Sequence, residues 1–261
     1  MAAYKPGYGQ IGRDYALRMF TMPVEEDGPV WMVNLMKYKE VAAYTDGNPK
    51  GISGKEADDR YAPIKILHEI GALVPFFGDV IDQSHETDVQ WDRVGVVKYP
   101  TRKSFLDMQN RDDFKGMHEH KEAGMQFTFV IGCQPVDQAP ELRVDTSVWA
   151  SSEYSPTDDD GPVVVVEVVK YVNNAPVPST ASTQNSAQKV DGGPAAWFNV
   201  EGTIIGDGRE WDQIWFNAFP SLRAYNAQAS SALLSADASV FDSYTLIVRA
   251  SIDTFTANGP A

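Results

Sequence analysis

The stretch FKGMHEHKEAGM, residues 114–125, carries two of the chain's four histidines, His118 and His120, with Glu119 and Glu122 between and beyond them. Imidazole titrates near neutral pH, so these residues suit proton transfer, and beside carboxylates they also suit metal ligation. Histidines two apart do not share a helix face, whereas His118 and Glu122, four apart, do. One helix thus offers a metal two ligands, and spacing signals no third. The reading is therefore no metal and no cofactor, with a metal or a haem held through an axial histidine kept as the alternative. A third explanation is structural, because imidazolium near a helix C-terminus complements the helix dipole.

All four histidines, His68, His85, His118 and His120, lie in the first half of the chain. Proton-transfer chemistry near neutral pH is therefore expected there. His118 or His120 is the candidate base. Asp79 and His68 are candidate partners: Asp79 follows Gly78 inside an apolar strand, where the backbone can bend and aim a carboxylate. Asn34 breaks the apolar run WMVNLMKY, and a polar side chain in a buried strand needs a partner or a cavity. Tyr61 and His68, seven apart, would share one face of a single helix. Asn34 and Tyr61 are candidate donors to an oxyanion, with Trp31 and Phe77 as apolar lining. Each also has a plain structural reading, as core packing, rim histidine or strand-end carboxylate. His85, in the turn SHETD, reads as solvated surface.

The elements that must position these residues occur twice. GPVWMVNLMKY (28–38) returns as GPVVVVEVVKY (161–171), and QWDRVGVVKYPTRKSF (90–105) returns as EWDQIWFNAFPSLRAY (210–225). A repeat of this kind fixes the fold before any motif is judged. In the first copy a buried strand over 29–38 precedes one amphipathic helix in SGKEADDRYAPIKILHEIGA, opened by a Ser53/Glu56 capping box. LVPFFGDVIDQ and DRVGVVKY read as two strands, PTRKSFLDMQNRDDFKGMHEHKEAG as one helix ending in Gly124, and MQFTFVIGC as the last strand. The order is βαββαβ, a ferredoxin-like unit. The second copy repeats it, with strands near 162–171, 196–205, 212–219 and 242–250, a helix from Pro220 to about Leu234, and a weak first helix in the polar TASTQNSAQKVDGG. The boundaries expected are an N-terminal extension at 1–27, domain 1 at 28–137, a linker at 138–160 packed through Trp149 and Tyr154, and domain 2 at 161–258. The extension reads either as an arm across one domain or as a surface segment.

The chain has 261 residues, a formal charge of −14 and a pI near 4.6, which argues against binding to nucleic acid or an anionic membrane. No apolar run is long enough for a signal peptide or a membrane span, so a cytoplasmic protein is expected. Cys133 is the sole cysteine and reads as a buried structural thiol.

The blocks MVNLMKY, SGKEADDRY, GDV, WDRVGVVKYPTRKSFLDM and HEHKEAGM, in this order over about residues 28–135, resemble the family called domain of unknown function 1330, in the dimeric α/β-barrel superfamily. Lys121 stands where that family's ending carries arginine. The second copy keeps only the first strand and the Trp-Asp to Pro block. The resemblance implies an α+β fold in which two tandem ferredoxin-like units pair their antiparallel sheets into an intrachain α/β barrel. It also implies a monomer with an internal pseudo-dimer, or a homodimer. Relatives across the superfamily include lactone isomerases, cofactor-free monooxygenases, polyketide cyclases, aldoxime dehydratases and haem peroxidases, so fold leaves the reaction open. The leading expectation is a cofactor-independent isomerase, lyase or cyclase acting by proton transfer on a small, partly apolar carbonyl or hydroxylated compound. Its rivals are a monooxygenase, cofactor-free or haem-dependent, and a ligand-binding or structural protein without turnover.

Overall fold

The computed structural model describes residues 6–47, 49–84, 89–136, 143–172, 192–229 and 239–260. In the first half these form β1 (Gln10–Ile11), α1 (Arg13–Thr21), β2 (Val30–Tyr38), α2 (Gly54–Tyr61), α3 (Ile64–Glu69), β3 (Leu73–Ser84), β4 (Arg93–Tyr99), α4 (Arg102–Asn110), α5 (Asp112–Gly124) and β5 (Met125–Pro135). After a 3-10 helix at Thr146–Ser151 come β6 (Val163–Tyr171), β7 (Gly193–Gly206), β8 (Gln213–Phe219), α6 (Leu222–Ala229), β9 (Val240–Asp253) and the short α7 (Phe255–Asn258). The fold is α+β. Strands hydrogen-bond in the order β1-β7-β5-β2-β4-β3-β9-β6-β8, and a further β7–β8 pairing closes β2 to β9 into an eight-stranded antiparallel barrel.

Compact packing does not follow the repeat boundaries. One unit comprises Met1–Val74, Val89–Cys133 and Glu201–Arg209, and the other Pro75–Asp88, Gln134–Val200 and Glu210–Ala261. Most of β3 thus belongs with the second unit, where it pairs with β9, and the end of β7 belongs with the first, where it pairs with β1.

Each long helix expected of the first copy is two helices. Pro63 cannot donate a backbone hydrogen bond and restricts the residue before it, so α2 stops at Tyr61 and α3 begins at Ile64. Arg111, extended at φ −66° and ψ 137°, separates α4 from α5. Tyr61 and His68 therefore do not share one helix face. The Ser53/Glu56 capping box is present, and α5 ends at Gly124 as expected. The expected first helix of the second copy, and the stretch from 230 to Leu234, lie outside the described residues, as does His85. No helix among the described residues is long and apolar enough to cross a membrane.

In the first unit Val30, Met32 and Val130 on one sheet face, with Tyr99 beside them, pack under Ile66, Leu67, Met108 and Phe114 of the helices. Residues of the N-terminal extension join this core: Tyr15 and Met19 of α1 are buried in it. In the second unit Phe76, Phe198, Phe216 and Phe255 pack ring to ring, with centroids 5.0–5.9 Å apart. Trp149 of the linker is buried, and Tyr154 packs against the cluster of Val163, Phe219 and Tyr225.

Two devices recur in both copies. Asp92 accepts from the backbone N of Tyr38 at 2.7 Å and pairs with Lys37, and Asp212 does the same with Tyr171 at 2.8 Å and Lys170. Asp27 accepts from the first N–H groups of α4, Arg102 at 2.8 Å and Lys103 at 3.0 Å, and Asp160 likewise receives Leu222 and Arg223 at α6. The repeated sequence thus begins at Asp, as DGPV, one residue before the Gly28/Gly161 match. Carboxylates there satisfy orphan donors and complement the positive helix end. The Asp27 side chain is 8% exposed and also faces the Arg102 guanidinium. Asp27→Ala is expected to cost about 2 kcal/mol in thermal denaturation, more than Asp160→Ala, whose partner Arg223 is exposed. Equal losses would separate the cost from the buried arginine.

Candidate functional site

In the first unit, small residues let two helices meet backbone to backbone. A Cβ on Gly54 would stand 2.5 Å from the carbonyl oxygen of Lys39 and collide with that of Gly124, and one on Gly124 would lie 2.9 Å from Ala57 Cβ. The approach of α2 to α5 brings Asp58 and Tyr61 to the helix face that carries Phe114, His118 and Lys121. Lys39 supports the junction, its Nζ donating to the carbonyls of Glu122 at 2.8 Å and Ala123 at 3.2 Å at the negative end of α5.

Around this junction lies a cluster of titratable groups. The Tyr8 hydroxyl is 3.1 Å from His118 Nε2, and Gly7 N donates to Glu122 Oε2 at 3.3 Å, so the segment before α1 lies along α5. The His118 ring is flanked by Tyr61 and Phe114, at centroid distances of 6.1 and 5.9 Å. Lys121 Nζ sits 5.1 Å from the Tyr61 ring centroid and 5.5 Å from that of Tyr8. Beneath it, Tyr38 donates to Asp58 Oδ2 at 2.7 Å, while Arg93 lies 3.6 Å from Asp58 and 2.8 Å from Asp59.

Burial dominates the electrostatics. It lowers the pKa of His118, aided by the Lys121 charge and opposed by Glu122. It lowers Lys121 against the pull of Asp58 and Glu122, and it raises Asp58 against the Tyr38 hydrogen bond and the nearby cations. Tyr38 is pushed up by burial and by the Asp58 carboxylate. All four groups are biased toward their neutral forms. An imidazole that stays unprotonated beside an amine and a phenol can accept a proton and pass it on.

The same strand positions in the second unit are neutral. Tyr171, the counterpart of Tyr38, donates to Gln213 at 3.0 Å, and Gln213 donates to Asn199 at 3.0 Å. Gln213 replaces Arg93, and the second copy has no histidine.

Of the residues singled out in sequence, His118 and Tyr61 meet here. His120 points elsewhere on α5, its Nδ1 2.8 Å from the Tyr44 hydroxyl. His68 is exposed near the end of α3. The Asn34 amide donates to the Met32 carbonyl at 2.9 Å, within its own strand. Trp31 is buried with Lys98 Nζ 5.0 Å from its ring centroid, opposite Cys133, whose thiol burial pushes well up. Phe77 and Asp79 belong to the second unit and are half-buried in β3, opposite Ile252 and Arg249 of β9. The register shifts between Phe77 and Gly78, the bend expected before Asp79. Among the described residues no three His, Cys, Asp or Glu side chains gather as a metal site.

Sequence reading missed Tyr8, Asp58, Arg93 and Lys121. Lys121 left a signal, three residues after His118 and just before the small pair Ala123-Gly124. Tyr8 left none, because the first 27 residues match neither copy.

No family model matches the chain, and no curated protein does. Among solved structures, the RPA0582 protein of unknown function from Rhodopseudomonas palustris is 22% identical over 51% of this chain and 99% of its own, with a TM-score of 0.43. A mutant chlorite dismutase from Candidatus Nitrospira defluvii is 12% identical over 93% of this chain and 98% of its own, at a TM-score of 0.48. A structure from Fusobacterium nucleatum, described provisionally as a monooxygenase, is 10% identical over 85% and 92%, at 0.45.

Proposed function

We propose that the chain is an acid/base enzyme that works without a resident cofactor on a small, partly apolar carbonyl or hydroxylated compound, as an isomerase, lyase or cyclase. The observation that carries this reading is the His118 imidazole held at 3.1 Å by Tyr8 beside Lys121, with burial biasing both His118 and Lys121 toward their neutral forms. The resemblance to the domain 1330 family rests on the sequence blocks quoted above.

His118 is the base. It takes a proton from carbon next to the carbonyl, and Lys121 with the Tyr8 and Tyr61 hydroxyls supports the oxygen on which charge develops. Asp58, rather than the expected Asp79 or His68, is the carboxyl partner, fixed by the Tyr38 hydroxyl at 2.7 Å. A haem fits this cluster poorly: the Tyr8 hydroxyl faces His118 Nε2, and Tyr61 and Phe114 flank the ring.

The test is hydrogen-deuterium exchange of carbonyl α-protons, followed by proton NMR over a panel of cyclic ketones and aldehydes. His118→Ala is expected to lose about 100-fold in rate while His120→Ala and His68→Ala keep theirs. Because its pKa is lowered, His118 stays an active base through neutral pH, and the rate falls only on the acid side of 6.5. Full exchange by a folded His118→Ala chain would overturn the assignment.

A further inference from the structure

Lys121 is the least conventional member of the cluster. Among the described residues its Nζ faces two phenol rings rather than hydrogen-bond acceptors. The carboxylate that acts on it most, Asp58, already accepts from Tyr38 at 2.7 Å and lies 3.6 Å from Arg93. Burial disfavours the ammonium and the two ring faces offset part of that cost, with burial the larger effect. The side chain as a whole is only partly buried. A neutral lysine amine between aromatic faces, with an imidazole one helical turn away, has the makings of a nucleophile.

We propose that Lys121 forms an imine with the aldehyde or ketone group of the substrate. The inference rests on the acid/base reading of this same site and names the substrate class. The nitrogen lone pair adds to the carbonyl carbon as the C=O π pair moves to oxygen. His118 takes the proton that nitrogen loses, and the oxygen takes a proton from solvent to become a hydroxyl. His118, as imidazolium, then gives its proton to that hydroxyl, which leaves as water while the nitrogen lone pair forms C=N, producing an iminium. The iminium withdraws electrons from the adjacent carbon, whose proton the neutral His118 now accepts. Once His118 returns a proton, exchanged with solvent, to carbon and restores the iminium, addition of water reverses the first stages and frees the amine. No oxidant or reductant enters, and Tyr8, at His118 Nε2, positions the ring.

The experiment treats the full-length chain at pH 7 with butanal or cyclohexanone and sodium cyanoborohydride, which reduces an imine to a stable amine, and locates adducts by peptide mass spectrometry. Lys121 is expected to be modified at least about tenfold faster than exposed Lys65 and Lys103, in keeping with an amine pKa lowered by burial. Lys121→Arg keeps a cation at the site, and is expected to lose the fast adduct and the exchange activity together while keeping its thermal midpoint. Modification no faster than at Lys65, or only after denaturation, overturns the imine. So does exchange retained by Lys121→Arg. If His118→Ala abolishes exchange while Lys121 stays unmodified, the imine fails and the acid/base reading stands. If Lys121 is modified and exchange ignores His118, it is the choice of base that fails.

Discussion

Gly54→Ala is expected to destabilise the first unit by about 3 kcal/mol and lower the thermal midpoint by about 8 °C. Alanine is the better helix former by about 1 kcal/mol, so propensity alone points the other way. Geometry decides. The new methyl would meet three backbone atoms, the N and O of Lys39 and the O of Gly124, none of which can move as the tip of a flexible side chain moves. The helix α2 would have to retreat from both α5 and the end of β2, breaking the Gly54 N to Lys39 O and Lys39 N to Gly124 O bonds, at 3.0 and 2.9 Å. Gly116→Ala is the matched control. It is exposed on α5 with nothing near its Cβ, and the change should leave stability unchanged or raise it by up to about 1 kcal/mol. Because the retreat separates Asp58 from Lys121, Gly54→Ala should also slow aldehyde capture at Lys121. Equal midpoints for the two variants in a thermal melt would mean that the glycine contact does not hold the helices together.

The eight barrel strands were legible in sequence as apolar runs, and duplication shows two of each copy's four, the first and the third, a second time. Their cores fall where the apolar runs predicted, although β3, β7 and β9 run longer. The helix layer was legible only in outline. Pro63 stood in plain view, but the apolar spacing around it continues smoothly enough to suggest one helix, and Arg111 carries no breaking signal at all. The exchange of strand segments between the compact units has no sequence signature, since pairing partners are chosen by long-range hydrogen bonding. Half of the site was legible for the same reason. His118 and Tyr61 announce themselves by residue type, whereas Asp58 and Arg93 look like ordinary helix and strand-end charges until Tyr38 and the glycine pair bury them.

Comparing the copies separates the contacts that both keep from those that only one has. The Asp92 and Asp212 clamps and the Asp27 and Asp160 caps survive in both, as expected of groups that terminate strands and start helices. The ion pair of Arg93 with Asp58 has no equivalent at this strand position: Gln213 stands in place of Arg93, in a Tyr171–Gln213–Asn199 chain of neutral hydrogen bonds. A purely structural need is met by that neutral chain, which costs less to bury than charges do. Retention of the charged version only where the histidines lie favours a functional reason for it.

The second unit has a buried acid of its own, and its cost should govern how stability depends on pH. Glu167 of β6 is 4% exposed, opposite Trp215 and Thr245 on the neighbouring strands, where the first copy has Asn34 with Gly95 and Val130. Asn217 donates to one of its carboxyl oxygens at 3.2 Å; among the described residues the other oxygen and the Thr245 hydroxyl have no partner. Burial raises its pKa from 4.5 to about 7, with the Asn217 amide pulling the other way. The folded chain therefore holds this proton more tightly than the unfolded chain. The protonated acid is tolerated below about pH 4.5, and stability is lost progressively as pH rises through about 7. That shift corresponds to roughly 3 kcal/mol. Glu167→Gln keeps the shape and an acceptor for Asn217 but cannot ionise, and its amide can donate toward Thr245. In urea denaturation from pH 5 to 8.5, the stability difference between variant and parent should grow with pH and level off above about 7, the variant ending more stable by about 2 to 3 kcal/mol. Every other titrating group cancels in that difference. Parallel curves would mean that Glu167 ionises in the folded chain as it does in the unfolded one, with a compensating partner at its second oxygen.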